Sequence, residues 1–536
     1  MAVQTCLPDL SGQDIIYEPS DAVAARLQEA ENLVAAARQG GEPAALAEAL
    51  IALARLRYRL GQYRVAQALA DEALAVSAEG SPARADAWQV LANCAADIES
   101  FAQAEAYYRL AADLARETGH HRARVAALHG LAAGVYVLRG RFDLALAADA
   151  EARRIAAEQG RLDWLVYPLI TIALVHRLVG QGDQAQAALA EVAPLAPTGS
   201  VIQGYHLCLS GELALDDGQL EAGRAFFVRA RPIAEASGEP WLNGAVRLGM
   251  SRYHRLLGDG PNARAWADDA LAFARRLGCR YDQGRALIER GRGAWLCGDL
   301  AGAEADLRAA NDILAALDAA FELVRGRFLL AALLHEQGHA EASGAWLAAA
   351  RAIGEGGYAF LLEQERSLAF PLLAAYQAGP DPDLARASAL LLERLRRVPP
   401  PPLHIITLGR FEVRQGRWRI ERRALHTRRA GELLALLLLA PGRSLSGDQV
   451  AEALWPDKTP DAALTAFHHA TSALRHALEP DLPEKFPSRY LAVEEGQIAL
   501  ALPPGSWLDI EAFEAHCRRG EWEEALALYG GDLLPD

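Results

Sequence analysis

Lysine is almost missing from this chain of 536 residues: only Lys458 and Lys485 occur, and arginine carries nearly all the positive charge. Positive charge is also short overall, since the formal net charge is −15. That balance opposes attraction to nucleic acid or an anionic membrane unless a local segment reverses it. No charge-free apolar run reaches the roughly 18 residues of a membrane-spanning helix, and the first twenty residues lack the basic start and apolar core of a secretory leader. A cytoplasmic protein with no membrane partner is the expectation. The six cysteines, at positions 6, 94, 208, 279, 297 and 517, never approach Cys-x-x-Cys spacing. Four of them lie in apolar helical patterns and read as reduced core residues.

Catalytic signatures are also lacking. GxxxxGK[ST], GxSxG and GxGxxG are absent, and no paired catalytic carboxylates stand out. His335-Glu336-Gln337-Gly338-His339 does match HExxH. Zinc chemistry needs both histidines on one face of an unbroken helix, with a third ligand. Gly338 falls at a repeat turn, which ends the helix between them, so the match reads as coincidence. The neighbouring histidines His120 and His121 fall at another turn and read as solvated. No catalytic residue, cofactor or metal is expected, and the chain does not read as an enzyme.

What is abundant is alanine and leucine in a repeating frame. Gly61, Gly140, Gly180, Gly218, Gly258, Gly298 and Gly338 stand between helical patterns at intervals of 38 to 40 residues, with Ser100 filling the one gap. Bulky residues follow two positions later (Tyr63, Phe142, Leu220, Leu300), and small ones five positions later (Ala66, Ala145, Ala185, Gly223, Ala263, Ala303). A second series of breakers, Gly80, Gly119, Gly160, Gly238 and Gly278, falls about half a period on. A glycine ends one helix, the bulky residue packs on it, and the small residue lets the next backbone approach. No single hairpin buries its apolar stripe, so neighbours must stack. The pattern G-x-[FYL]-x-x-[AG] resembles the tetratricopeptide repeat in a lengthened, roughly forty-residue form. The resemblance implies a curved α-solenoid whose concave surface takes a protein or peptide ligand.

The expected organisation is an N-terminal segment and capping helix (1–42), the repeat array with its C-terminal cap (43–397) and a linker at 398–402. The linker contains Pro399-Pro400-Pro401-Pro402, which favours polyproline II and spans about 12 Å. Residues 403–413 and 417–420 then read as a hairpin turning near Gly416. Between Arg410 and Arg429, eight arginines oppose Glu412 and Glu421, which leaves a local +6. That is a candidate phosphate-facing patch; a solvated sheet face that pairs with the acidic array is the bland alternative.

Three helical patterns and two strands follow. Leu433, Leu434 and Leu436 to Leu439 make the first helix the buried one. Ser446 with Gln449 is a capping box for the second, which closes at Trp455-Pro456. Thr459 caps the third, with Pro460 at its first position. On that third helix Phe467, Thr471, Leu474 and Leu478 face inward, leaving Thr465, His468, His469, Ser472, Arg475 and His476 outward. Such a helix can lie in the major groove. Strands at 489–493 and 497–502, turning at Glu495-Gly496, would form a wing whose acidic tip (Glu494, Glu495) repels phosphate.

The stretch RRAGELLALLLLAPGRSLSGDQVAEALWPD, then ALRHALEP and SWLDIEAFEAHCRRGEWEEALALYGGDLLPD, resembles the Streptomyces antibiotic regulatory proteins. It is similar to their response-regulator-type winged helix-turn-helix (403–502) and to the opening of the bacterial transcriptional activation domain (503–536), which the resemblance implies continues past Asp536. The resulting fold class is mostly α: a tetratricopeptide-like solenoid followed by a small α+β winged helix. The resemblance implies a transcription regulator that binds promoter double-stranded DNA, with RNA polymerase contact and a homodimer as further expected partners. Base contacts are expected from Thr465, His468, His469, Ser472 and Arg475. Phosphate contacts are expected from Arg422, Arg423, Arg428, Arg429, Lys458, His476 and Arg489. The alternative is a protein-interaction scaffold whose winged helix serves protein contacts.

Overall fold

A computed structural model describes residues 20–535 other than 99, 398–399, 416–417, 427–428, 481, 483–487 and 495, and only the backbone of residues 20–25, 396–397, 418 and 422. Two compact units divide the chain, one ending at Tyr358 and the other beginning at Ala359, the turn Asp217–Gln219 aside. No helix among the described residues is long and apolar enough to cross a membrane.

The first unit is a helical repeat array. After a helix at Ser20–Gly40 come paired helices, Pro43–Arg59 with Tyr63–Val76, Pro82–Ile98 with Phe101–Glu117, and so on to Ala320–Glu336 with Ala342–Gly356. Both series of breaker glycines adopt positive φ, between 64° and 83°. Where the second series lacks a glycine, Asp318 takes the left-handed conformation at φ 55°. The small positions Ala66, Ala145, Ala185, Ala263 and Ala303 are all fully buried, as helix-to-helix approach requires. Tyr63 and Phe142 are buried too, whereas Leu220 and Leu300 are half-buried.

Ion pairs between successive repeats hold their register. Arg177 and Arg252 both reach Glu212 at 2.6 Å. Arg255 (3.1 Å) and Arg325 (2.5 Å) both reach Glu289. Burial pushes the Glu289 carboxyl up, but Arg255, Arg325 and Arg292 outweigh it and hold it far below the usual carboxylate range.

The array winds until distant repeats touch. Tyr63 Oη lies 3.5 Å from Cys279 Sγ, 216 positions on. The Tyr358 hydroxyl donates to the Gly140 carbonyl at 3.2 Å, 218 positions back. Phe101 meets Tyr281 and Phe142 meets Phe321 edge to face, and Arg139 pairs with Asp318. One superhelical turn therefore takes between five and six repeats, and it encloses a cavity of about 460 Å³. Of the cysteines, 94, 208 and 279 are buried core residues, but Cys297 is exposed at a turn and Cys517 is half-exposed.

The second unit opens with helices at Phe360–Gln364, Arg366–Gln377 and Pro382–Arg397. These residues were expected to cap the array, yet they group with the C-terminal part of the chain. The reason is electrostatic: Glu363 and Arg366 pair with Arg489 and Glu479. Val398 and Pro399 of the linker lie outside the described residues; Pro401 accepts the Tyr490 hydroxyl at 2.7 Å.

Strands β1 (Leu403–Ile406), β2 (Glu412–Gln415) and β3 (Trp418–Arg419) form an antiparallel meander, and β7 (Trp507–Leu508) joins its other edge parallel to β1. The expected single hairpin is thus incorrect, because the chain breaks between β1 and β2. Gly409 takes φ +79°, and a Cβ there would meet the Gly530 carbonyl oxygen at 2.2 Å. Asp509, buried, accepts from Thr407 N and Leu408 N at 2.8 Å and from Thr407 Oγ1 at 2.7 Å.

Helices α1 (Ala430–Leu439), α2 (Gly447–Leu454) and α3 (Pro460–Leu478) follow, with β4 (Ser444–Ser446) between the first two. Strands β5 (Leu491–Glu494) and β6 (Gln497–Leu500) pair antiparallel, and β4 pairs with β6. Leu433, Leu434 and Leu437 pack with Val450, Phe467, Leu474 and Ile498 in one core. Leu439, expected inside, is half exposed at the helix end. Helices α4 (Asp509–Arg519) and α5 (Trp522–Leu528) close the chain.

Candidate nucleic-acid interface

The capping box that starts α2 is complete: Gln449 N donates to Ser446 Oγ at 3.1 Å and Ser446 N to Gln449 Oε1 at 2.8 Å. Pro460 stands at the first position of α3, but Thr459, at the N-cap, makes no side-chain capping bond. Ala463, Phe467, Ala470, Leu474 and Leu478 are the buried face of α3. That fixes the opposite face. Thr465, His468, His469, Ser472 and His476 are all exposed, and at 3.6 residues per turn they share a stripe about 100° wide. Thr465 Oγ1 donates back to the Asp461 carbonyl at 2.9 Å. Arg475 flanks the stripe and is half-buried, and Thr471, expected inside, is half-buried with its hydroxyl oxygen covered.

The expected phosphate contacts divide. Lys458 is exposed just before α3, its ammonium 6.0 Å from the Trp455 ring centre, and His476 lies on the stripe. Arg423 is exposed on the short helix Arg422–His426. Arg428 and the side chain of Arg422 lie outside the described residues.

One assignment needs correction. Arg489 is not part of a phosphate-facing surface: its guanidinium reaches Glu363 at 3.1 Å and Glu479 at 3.2 Å, with only 13% of the side chain exposed. Glu479 is itself fully covered, and an unpaired buried carboxylate is costly, so this arginine is retained inside. Arg429 stays exposed; it sits in the left-handed region at φ 62° and also caps α2, donating to the Leu454 carbonyl and pairing with Glu432 at 3.3 Å. A helix C-terminus is a natural seat for a cation.

The arginine-rich segment is also more committed than its count suggests. Arg410 (3.4 Å), Arg414 (2.6 Å) and Arg419 (3.2 Å) converge on Glu412, whose side chain is 5% exposed. Burial raises the Glu412 carboxyl, but Arg414, Arg419 and Arg410 together hold it below its usual range. Three cations on one anion still leave a net positive patch on the sheet.

Tyr490 was not anticipated. Fully buried, it accepts from Gln415 Nε2 at 2.6 Å while the same amide donates to the Leu478 carbonyl at 3.2 Å, so it ties β2, the end of α3 and the linker together. Its place just before β5 could have suggested a core residue, but not its partners. His335 and His339 fall either side of a helix end: the helix stops at Glu336 and Gly338 turns at φ 64°. Among the described residues no group of three or more His, Cys, Asp or Glu is placed to hold a metal ion.

No family model matches the chain, and no curated protein does. Solved structures of helical repeat proteins are similar to it. A Rap protein complexed with Competence and Sporulation Factor is 13% identical, covering 70% of this chain and 97% of its own, with a TM-score of 0.43. The apo form of the quorum sensor NprR from B. thuringiensis is 13% identical over 62% of this chain and 99% of its own, TM-score 0.41. A signal transduction ATPase with a tetratricopeptide repeat sensor from Pyrococcus horikoshii is 15% identical over 65% and 68%, TM-score 0.32. The chain's own elements give the fold class: mostly α, a helical repeat array followed by a small α+β unit.

Proposed function

We propose that the chain is a cytoplasmic transcription regulator, not an enzyme. Its C-terminal unit binds promoter double-stranded DNA, and its repeat array binds a protein, peptide or small signal that controls that binding. The observation that carries the reading is the exposed stripe of Thr465, His468, His469, Ser472 and His476 on α3, opposite a fully packed face. A helix held that way, with a strand pair beside it, has the geometry of a recognition helix with a wing. Contact with RNA polymerase and a homodimer on a two-fold operator belong to the same reading.

A mobility-shift titration of promoter fragments against salt tests it. DNA binding requires affinity to fall steeply from low to physiological salt, and Lys458→Ala to lower the log–log slope by about 1. Ser472→Ala and His469→Ala should instead change which fragments are bound. One observation favours the scaffold alternative: the stripe holds no lysine or arginine, and Asp461 lies at its N-terminal end. Absence of binding to every fragment at low salt supports the scaffold and rejects the regulator.

A further inference from the structure

The cavity inside the array carries a buried carboxylate that the packing of helices does not require. Asp97, on the helix Pro82–Ile98, is 8% exposed and lines the cavity. Tyr58 and Trp241 bring hydrogen-bond donors to its carboxyl, but its Oδ2 is covered and has no hydrogen-bond partner. Beside it Glu239, also lining the cavity, accepts from Leu242 N at 2.6 Å and from the Tyr205 hydroxyl at 2.8 Å. Of the arginines in the lining, Arg55 pairs with Asp86 at 2.5 Å, Arg177 with Glu212 at 2.6 Å and Arg285 with Asp282 at 3.3 Å. Arg59 donates to the Tyr167 hydroxyl at 3.1 Å and offsets Glu239, and Arg122 offsets Asp163; Asp97 has none of them as a partner.

The space is shaped as well as charged. Tyr108 lies across its own neighbouring helix because Gly130 has no side chain there; a Cβ would stand 2.1 Å from the ring. The Tyr108 hydroxyl donates to Asn93 Oδ1 at 2.5 Å. Immediately after Gly130 the helix loosens into a π turn at Ala132–Tyr136, and the residues around it line the cavity. Such turns often mark functional sites. Val125, Ile170 and Leu174 supply apolar wall.

We propose that this cavity binds an organic cation, a ligand with one ammonium or guanidinium group on an apolar body, and that the cationic group seats against Asp97 among Tyr58, Tyr108 and Trp241. The charge meets an otherwise orphaned carboxylate oxygen, the aromatic rings favour a cation further, and the apolar wall takes the body. A volume near 460 Å³ suits a drug-sized molecule or a few residues of peptide. The same group comes from a free amine or from the basic side chain of a short peptide.

The site is poised to respond to pH. Burial, with Asp282 and Glu239 adding to it against the hydrogen bonds of Tyr58 and Trp241, raises Asp97 to about 8. Tyr63, Tyr108 and Cys279 complete the titratable groups that interact with it. A bound cation displaces the Asp97 proton, so affinity rises with pH until that carboxyl ionises unaided, by up to about tenfold per unit.

This inference rests on the array being the sensing unit, yet its test does not involve DNA. Calorimetric titration of the full chain uses phenylpropylamine, its acid counterpart phenylpropionate, and end-blocked tetrapeptides with a central lysine or a central norleucine. The amine, the lysine peptide or both should bind at least about tenfold tighter than the matched control, with tightening between about pH 6 and 8. Asp97→Asn should abolish the preference, and Ala126→Trp, filling the cavity, should abolish binding. Preference for the amine alone, or for the lysine peptide alone, assigns the source. Equal binding of the controls, no binding of either cation, no pH trend in the wild type, or a preference that survives in folded Asp97→Asn overturns the proposal. A salt-dependent mobility shift on the same samples shows separately whether the DNA reading stands.

Discussion

Arg489 and Arg429 show what a sequence hides at the scale of one side chain. Both stand in an arginine-rich neighbourhood of the sequence, yet Arg489 is held inside by Glu363 and Glu479, and Arg429, though exposed, is tied to the Leu454 carbonyl. Those partners are 126, 10 and 25 positions away, so no local pattern announces them. The outward stripe on α3 was legible because burial of Phe467, Leu474 and Leu478 fixes the opposite face by helical period alone. The two kinds of residue separate in experiment. Arg489→Ala leaves the buried Glu479 carboxylate with Arg366 as its remaining ion-pair partner and should cost about 2 kcal/mol in urea unfolding of the C-terminal unit. It should leave the salt slope of DNA binding unchanged, whereas Lys458→Ala lowers the slope and leaves stability alone. An equal loss of slope in both variants would return Arg489 to the interface.

At the scale of elements, the repeats were legible and the sheet was not. Each repeat turn declares itself by a glycine that must take positive φ, and the observed values confirm the frame glycine by glycine. Asp318 shows why the second series has a missing member, since aspartate tolerates the left-handed region better than most residues. Strands β1 and β2 read in sequence as one strand of a hairpin, because the break at Gly409 is made by segments about a hundred residues on. Gly409 N donates to the Asp532 carbonyl at 2.8 Å, Leu408 bridges to Leu533, and Asp509 takes the amides of Thr407 and Leu408. Removing that carboxylate leaves two buried N–H groups and a hydroxyl without an acceptor. Asp509→Ala should therefore destabilise the C-terminal unit by about 3 kcal/mol, read from its urea midpoint. It should leave the array's own transition in place. An unchanged midpoint would mean that this chain end docks without supporting the sheet.

The winding of the whole array was beyond the sequence, because curvature accumulates from small rotations per repeat that no residue pattern encodes. Its consequence is that charges from repeats far apart meet in one interior, and these set a pH profile. Glu289 is held below its ordinary range, so its contribution to stability is present above the ordinary glutamate value of 4.5 and is lost as pH falls below it. Asp97 is the opposite case. Its folded value of about 8 exceeds the ordinary aspartate value of 3.8, so the folded state binds the extra proton between them. Stability from that proton is greatest at low pH and is lost as pH rises toward about 8, at no more than about 1.4 kcal/mol per unit for one group. The array should accordingly be most stable in mildly acidic solution, with an acid limb set by Glu289 and its arginines and an alkaline limb set by Asp97. Thermal melts followed by circular dichroism from about pH 6 to 9 isolate the second limb. Asp97→Asn keeps the shape without the charge, so its Tm relative to wild type should climb by several degrees across that range. A constant difference between the two proteins would place the alkaline limb on other groups and leave Asp97 ionised throughout.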